Sequence, residues 1–473
     1  MNRFNIKYEI KTKPYPHQIE ATRFILENDY CALFDEQGLG KTKIVIDAIV
    51  TELKRKKING CLVISPKTLI KNWETEVKKH SFLKPLNLIG SKREKGYKFL
   101  SYANIYLTNY EQIISELERV RDFLNINDFA IVLDESQRIK NPLAKTTNAI
   151  LEISKLSNKK IIITGTPIAN KPENIWAQFN FLDHGKLLGN SFNHFKNKYI
   201  SNKNDENSYL KLKEKISTIS LRRLKDDVLE LPKKIYKDIY IELKDLQKEN
   251  YEKLKQSLIV EIKDFEGEII IDENDYFLKK LLRLTQLASH PFLLDKSYNE
   301  IPSRIVALDE LINEIISRKE KVIIWSSFVE NIRLIRNRYK KFGSLYLFGA
   351  IPIDDRNRYI QLFQTDEKYK VMVANPAAAR EGITLTAANN AIYYDRNFNL
   401  VDYIQSQDRI HRISQDRQCY IFKIIAKNTI DEFIDDKIYS KQSIASYLQG
   451  DTNEIKEKEN KLSKEEIIEI LGG

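Results

Sequence analysis

Two short segments of this chain carry residue types suited to breaking a phosphate anhydride. Asp35-Glu36-Gln37-Gly38-Leu39-Gly40-Lys41-Thr42 follows the apolar run Cys31–Phe34 and precedes a helical pattern over Lys43–Leu53. Strand, glycine turn, helix is the order of a phosphate-binding loop. Glycines let successive backbone N–H groups curl round an anion at a helix N-terminus, where the dipole also favours negative charge. In such a loop Lys41 reaches the β- and γ-phosphates of ATP, and the Thr42 hydroxyl takes a Mg²⁺ position. Gly38 and Gly40 supply the turn, but Asp35 stands where the pattern has its first glycine. Taken alone, the segment also reads as a plain glycine turn.

The second segment sharpens the first. Phe129-Ala130-Ile131-Val132-Leu133 is a continuous apolar run of the kind a fully buried parallel strand needs, and it ends in Asp134-Glu135. Carboxylates at a strand's C-terminal end face the crevice where open α/β sheets bind ligands. Asp134 is expected to hold Mg²⁺ through its shell, and Glu135 to polarise the attacking water as general base. An acidic pair closing a strand otherwise reads as a solvated turn.

These residues must be positioned by alternating strands and helices. Short β-rich runs recur at Ala32–Phe34, Cys61–Ser65, Ile105–Thr108, Phe129–Leu133 and Lys160–Thr164. They recur again at Val322–Trp325, Leu345–Phe348, Val371–Ala374, Ala391–Tyr394 and Tyr420–Ile425. Such alternation implies βαβ units and parallel sheets. Between them the chain is rich in Lys, Glu and Leu at helical spacing. The expected architecture is α/β, with two tandem parallel-sheet lobes carrying helical insertions. Lobe one spans 1–232 with an insertion at about 176–230. Lobe two spans 233–450 with an insertion at about 241–300, and Leu231-Pro232 marks the boundary because proline ends the preceding helix. Residues 451–473 read as a charged tail with one short terminal helix, capped by Ser463 and Glu466, that docks on the second lobe or recruits a partner.

Composition sets outer limits. With 473 residues the chain can bury two or three sizeable cores. Lys and Arg number 77 against 66 Asp and Glu, a net +11 that suits a polyanionic partner as well as a solvated lysine surface. The three cysteines, Cys31, Cys61 and Cys419, lie far apart and form neither a disulfide framework nor a zinc pattern. The charged start, Met1–Lys13, has no signal-peptide apolar region, and no run reaches the roughly 18 apolar residues of a membrane span. A cytoplasmic, monomeric protein is expected, with no membrane contact.

The motifs, in order, resemble superfamily 2 ATPases of the Swi/Snf chromatin-remodeller type, related to the DEAD/DEAH-box helicases. Pro16-His17-Gln18 looks like the family's adenine-reading motif, and Asp35–Thr42 matches its phosphate loop, including the aspartate. Ser65–Trp73, Leu107–Glu111, Asp134–Asn141 and Thr164-Gly165-Thr166-Pro167 are similar to the motifs that follow. Leu221-Arg222-Arg223 with Lys225, Asp227-Val228 and Leu231-Pro232 matches a segment peculiar to this branch, as does Ser289–Leu294. In the second half, Lys321–Val329, Gly382–Ala388 and Asp408–Gln415 match. The acidic motif departs from the family, ending Ser136-Gln137 where Ala-His is usual.

The resemblance implies two RecA-like lobes and a DNA-stimulated ATPase that moves along double-stranded DNA, gripping phosphates without reading sequence. It implies that Gln18 reads adenine and that Arg409 and Arg412, at i and i+3 of a helix, reach ATP as arginine fingers. It assigns DNA grips to Lys67, Thr68, Asn72, Trp73, Tyr110, Ser326 and Thr384. Trp73 reads equally well as a core aromatic, and Arg222 and Arg223 as a lobe brace or DNA contacts. The short form and the Lys-, Ile- and Asn-rich composition suit a bacterium or phage. Two alternatives stay open: a strand-separating DNA or RNA helicase, and a decayed ATPase serving as a DNA-binding scaffold.

Overall fold

The computed structural model describes residues 8–168, 170–200, 206–264, 276–381, 383–412, 414–452 and 454–455. They form two compact units. The first comprises the chain up to Glu230 together with Ser443–Ile455, and the second comprises Leu231–Gln442.

The first unit is built on seven parallel strands: β1 (Tyr30–Leu33), β2 (Gly60–Ser65), β3 (Pro85–Asn87), β4 (Ile105–Asn109), β5 (Phe129–Asp134), β6 (Lys160–Ile163) and β7 (Ser220–Leu221). Their order across the sheet is β3-β4-β2-β5-β6-β1-β7. The central runs are buried on both faces, which explains their unbroken apolar character. Helix Lys41–Lys54 packs its Ile44, Ile46 and Ile49 into the core beneath β1 and β2, so the phosphate loop hangs between two rigid elements.

The second unit has six strands: β8 (Lys234–Ile241), β9 (Val322–Trp325), β10 (Ser344–Leu347), β11 (Val371–Ala374), β12 (Asn390–Tyr393) and β13 (Cys419–Ala426). Their order is β10-β11-β9-β12-β13-β8, again all parallel. The fold is two tandem RecA-like α/β lobes.

Three strands escape the sequence reading. Pro85–Asn87 and Ser220–Leu221 are short edge pieces, and β8 is a mostly exposed edge strand whose Lys, Tyr and Asp residues hide its period. The first insertion contributes helices Trp176–Asp183, Phe192–Tyr199 and Glu206–Ser217, after which Ser220–Leu221 returns to the sheet beside β1. The second contributes Asp245–Asp264 and Tyr276–Ser289. The expected span of lobe two, 233–450, differs from the structure at its end. Helix Ile430–Gln449 runs on past Gln442, and its last turns, with Asp451 and Thr452, group with the first unit. Residues 456–473, including the terminal helix expected after Ser463, lie outside the described residues.

Candidate nucleotide site

Strand register brings the two motifs together. Asp134, the last residue of β5, pairs with Ile163 of β6, and Ile163 pairs with Leu33 of β1. Phe34-Asp35, Glu135 and Thr164 therefore leave the sheet side by side at its carboxyl edge, where α/β sheets bind ligands.

Gly38 and Gly40 sit at φ 93° and 82°, in the left-handed region that a side chain disfavours. A side chain on Gly40 would run into the Gln18 amide, and one on Gly165 would come within 3.5 Å of Lys41 Nζ. The backbone is thus left bare where phosphates would approach. Lys41 Nζ donates to the carbonyls of Asp35 (2.7 Å) and Glu36 (3.2 Å), folded over its own loop. Burial lowers its pKa, and the carboxylates of Glu135, Asp35 and Asp134 oppose that shift. Thr42 stands in the first turn of helix Lys41–Lys54. Gln18 accepts from Tyr15 N–H (3.0 Å) and donates to Leu39 C=O (3.3 Å), joining the first helix to the loop.

Asp134 is held from three directions. Its Oδ2 accepts from Trp73 Nε1 (2.7 Å), its Oδ1 from Glu135 N–H (2.9 Å), and its carbonyl from Tyr110 OH (2.7 Å). Burial, then the neighbouring Glu135, pushes its pKa up to about 7, so a cation at this carboxyl would favour the ionised form. Among the described residues no three or more His, Cys, Asp or Glu side chains form a metal cage. Mg²⁺ needs none, since one or two carboxylates plus substrate phosphates hold it. The oxygen donors of Asp134 and Thr42 fit that ion.

Glu135 adopts φ 51°, ψ 53°, a left-handed conformation costing a non-glycine residue about 1–3 kcal/mol. The kink delivers Ser136-Gln137 to the Thr164–Pro167 segment. Gln137 Nε2 donates to Glu135 Oε2 (2.6 Å), while its Oε1 accepts from Thr164 Oγ1 (2.6 Å). Ser136 Oγ donates to Gln178 Oε1 (2.6 Å), and Gln178 Nε2 donates to Pro167 C=O (2.7 Å). Both departures from the Ala-His pattern therefore tie the acidic pair to Thr164–Pro167. Gln178, in the insertion helix, carried no motif signal.

In the second unit, Asp408–Arg412 is not helical. Helix Leu400–Gln407 ends first, and bonds such as Arg409 N–H to Ser406 C=O (3.2 Å) and Ile410 N–H to Gln407 C=O (3.2 Å) make tight turns. The expected shared helical face is absent, and the two arginines differ. Arg409 is 1% exposed and donates through Nε to Gln405 C=O (2.8 Å). Arg412 is half-buried and donates to Thr384 Oγ1 (2.8 Å) and Asp408 C=O (3.0 Å).

The residues matched to DNA grips also divide. Lys67, Thr68 and Asn72 are exposed, and Thr384 is half-buried against Arg412. Trp73, Tyr110 and Ser326 are buried, with their polar hydrogens committed inward: the first two to Asp134, Ser326 Oγ to Asp395 Oδ2 (2.6 Å). As they stand, these three position carboxylates and do not line a surface.

Comparison with known proteins decides the family. The model of the SNF2-related domain matches residues 17–293, and that of the helicase conserved C-terminal domain matches residues 304–414. The chain belongs to the SNF2-related family. It is 33% identical over 449 residues to the uncharacterized ATP-dependent helicase MG018 of Mycoplasma genitalium, covering 93% of this chain and 42% of that protein. It is 30% identical over 471 residues to YwqA of Bacillus subtilis, covering 95% of this chain and 49% of that protein. The chain thus spans about half the length of the curated relatives it matches. A solved structure of the Sulfolobus solfataricus SWI2/SNF2 ATPase core in complex with dsDNA is 30% identical, with 94% of this chain and 96% of that chain covered and a TM-score of 0.47.

Within this SNF2-related chain, the branch-specific segment has a place that motif reading left open. Arg222-Arg223-Leu224-Lys225 runs alongside Phe34-Asp35-Glu36. Arg222 Nη1 donates to Phe34 C=O (2.7 Å), Arg223 forks the Asp35 carboxylate, and Lys225 N–H donates to Glu36 Oε2 (2.8 Å). Glu36 N–H returns a bond to Arg223 C=O (3.0 Å). In this arrangement both arginines bond to the residues that open the glycine loop. They support the phosphate loop from behind.

Proposed function

We propose that this chain binds and hydrolyses Mg²⁺·ATP and couples hydrolysis to movement along double-stranded DNA, without sequence preference. The observation that carries the ATP reading is the convergence of Lys41, Asp134, Glu135 and Thr164 at neighbouring strand ends, under a glycine loop whose backbone is bare.

The chemistry follows from what each residue does there. Backbone N–H groups of the loop hold the phosphates, and Lys41 leaves the carbonyls of Asp35 and Glu36 to meet the β- and γ-oxygens. Asp134 and Thr42 would hold Mg²⁺, which would neutralise charge developing on the phosphates. Glu135, kept in place by its left-handed backbone and by Gln137, orients and deprotonates the attacking water. Arg412 is assigned the arginine-finger role by family resemblance, being the less buried of the pair. Lys67, Thr68 and Asn72 are the exposed candidates for DNA phosphates, and the net charge of +11 suits that partner.

The test is steady-state ATP hydrolysis by the purified chain with and without duplex DNA, with Lys41→Ala as the inactive control. Duplex DNA should accelerate turnover, and the stimulation should fall steeply between roughly 50 and 200 mM salt as counterion release loses its driving force. Stimulation by single-stranded RNA with duplex DNA inert would replace this reading by a strand-separating helicase. A rate insensitive to both would leave a DNA-binding scaffold.

A further inference from the structure

We propose that Asp451 is a positioning residue of the nucleotide site, acting through Arg222, and that the end of helix Ile430–Gln449 thereby sets how tightly the first unit holds ATP. The inference rests on the ATP reading above and assigns that site a control element more than 400 positions from its phosphate loop in sequence.

Helix Ile430–Gln449 closes on Gly450, whose φ of 88° suits only glycine without strain. Gly450 N–H donates to Tyr447 C=O (3.1 Å) and Asp451 N–H to Ser446 C=O (2.8 Å), so the helix end itself aims the Asp451 side chain. The last turns are anchored independently. Ile444 and Leu448 are buried, Lys213 Nζ lies 4.7 Å from the Tyr447 ring centroid, and the same ammonium donates to Thr452 C=O (3.1 Å).

Asp451 receives a two-pronged bond from Arg222, Nε to Oδ1 at 2.6 Å and Nη2 to Oδ2 at 2.7 Å. The remaining terminal nitrogen, Nη1, donates to Phe34 C=O, the peptide joining β1 to the phosphate loop. One guanidinium is therefore shared between the helix end and the loop. Both side chains are largely buried, so the fork is a charge-assisted contact and not a screened surface pair.

The consequence is physical. Without Asp451, Arg222 regains rotamer freedom and its charge stands uncompensated close enough to Lys41 to act on it. Phe34 C=O loses a fixed donor, and the loop must then be ordered at the moment ATP binds. Preorganisation of this kind appears directly in affinity. Linkage makes it reciprocal: ATP should hold the helix end in place as firmly as the helix end favours ATP.

The experiment uses the full chain, a fluorescent ATP analogue with Mg²⁺, and Lys41→Ala as the control that loses binding. Asp451→Ala should raise the dissociation constant about 5- to 20-fold, the lower part of the usual range of coupling between linked sites. Asp451→Asn, which keeps the shape, should fall between, and Asp451→Glu should recover most of the loss. Arg222→Ala/Asp451→Ala should be no weaker than Arg222→Ala alone, since both remove one connection. A non-hydrolysable ATP analogue should also slow hydrogen exchange of amides 445–449 in the parent but not in Lys41→Ala. A parent-like affinity in Asp451→Ala and Asp451→Asn, while Lys41→Ala fails to bind, overturns this inference alone. Additive losses in the double variant overturn it too. A parent chain that binds no nucleotide overturns the ATP reading and takes this inference with it.

Discussion

Arg223 grips the carboxylate of Asp35 with both sides of its guanidinium, Nε to Oδ1 at 3.1 Å and Nη2 to Oδ2, across 188 positions of chain. Asp35 is fully buried, and its own carbonyl accepts from Lys41. One residue at the head of the glycine loop thus holds Lys41 with its backbone and the Arg222–Lys225 segment with its side chain. A glycine there would keep the first contact and lose the second. That is a physical reason for the aspartate.

Arg223→Ala should leave a buried carboxylate without its ion partner. Breaking such a pair on one side typically costs about 3–5 kcal/mol, so the first unit's urea midpoint should drop markedly. Asp35→Gly combined with Arg223→Ala should recover part of that loss, because no charge is then stranded. Equal midpoints for parent and Arg223→Ala would show that the fork contributes nothing to stability.

Glu135→Gln should keep ATP affinity while turnover falls by about 10²–10⁴, the range for losing a positioned general base. Gln137→Ala should lower kcat with KM for ATP little changed, since it releases Glu135 from Thr164 and leaves the phosphate cradle alone. Initial-rate kinetics across ATP concentration separate the two parameters. A KM effect without a kcat effect would remove Gln137 from the positioning of the base.

Arg409 and Arg412 should behave differently. Arg412→Ala is expected to cost about 10³–10⁵ in DNA-stimulated turnover, as loss of an arginine finger does, with the melting temperature near that of the parent. Arg409→Ala should destabilise the second unit by about 1–3 kcal/mol, because the Gln405 carbonyl loses the Arg409 donor in a buried setting. Thermal melts run beside ATPase assays check both. Parent-like turnover in Arg412→Ala would end its assignment to ATP.

Stability should also depend on pH through Lys160. Burial, opposed by Asp183, lowers its pKa from 10.5 to about 8, and its ammonium bonds His184 Nε2 at 2.7 Å. Between about 8 and 10.5 the unfolded chain binds the proton that the folded chain has lost. Stability contributed by this group therefore rises with pH across that window and is level below it. Urea titrations of parent and Lys160→Met from pH 7.5 to about 10.5 should differ by this slope, whatever other groups titrate. Parallel curves would contradict the assignment.

What the sequence determined by itself is local and ordered along the chain. Phe129–Leu133 has to be a buried strand because five successive apolar residues leave no polar face, so Asp134 and Glu135 must lie at its end. Gly38 and Gly40 announce a backbone turn that other residues resist, and Lys41-Thr42 then fall at a helix start. The two lobes and the central strands of their parallel sheets were legible in this way. Only the tertiary structure decided which side chains meet across long separations. No local pattern distinguishes a Trp73 that faces DNA from one that donates to Asp134, or an Arg409 buried on Gln405 from an Arg412 half-buried on Thr384. Nor does spacing join Asp35 to Arg223, or Asp451 to Arg222, because partners of that kind are chosen by strand register and helix endings, which appear only once the chain is folded.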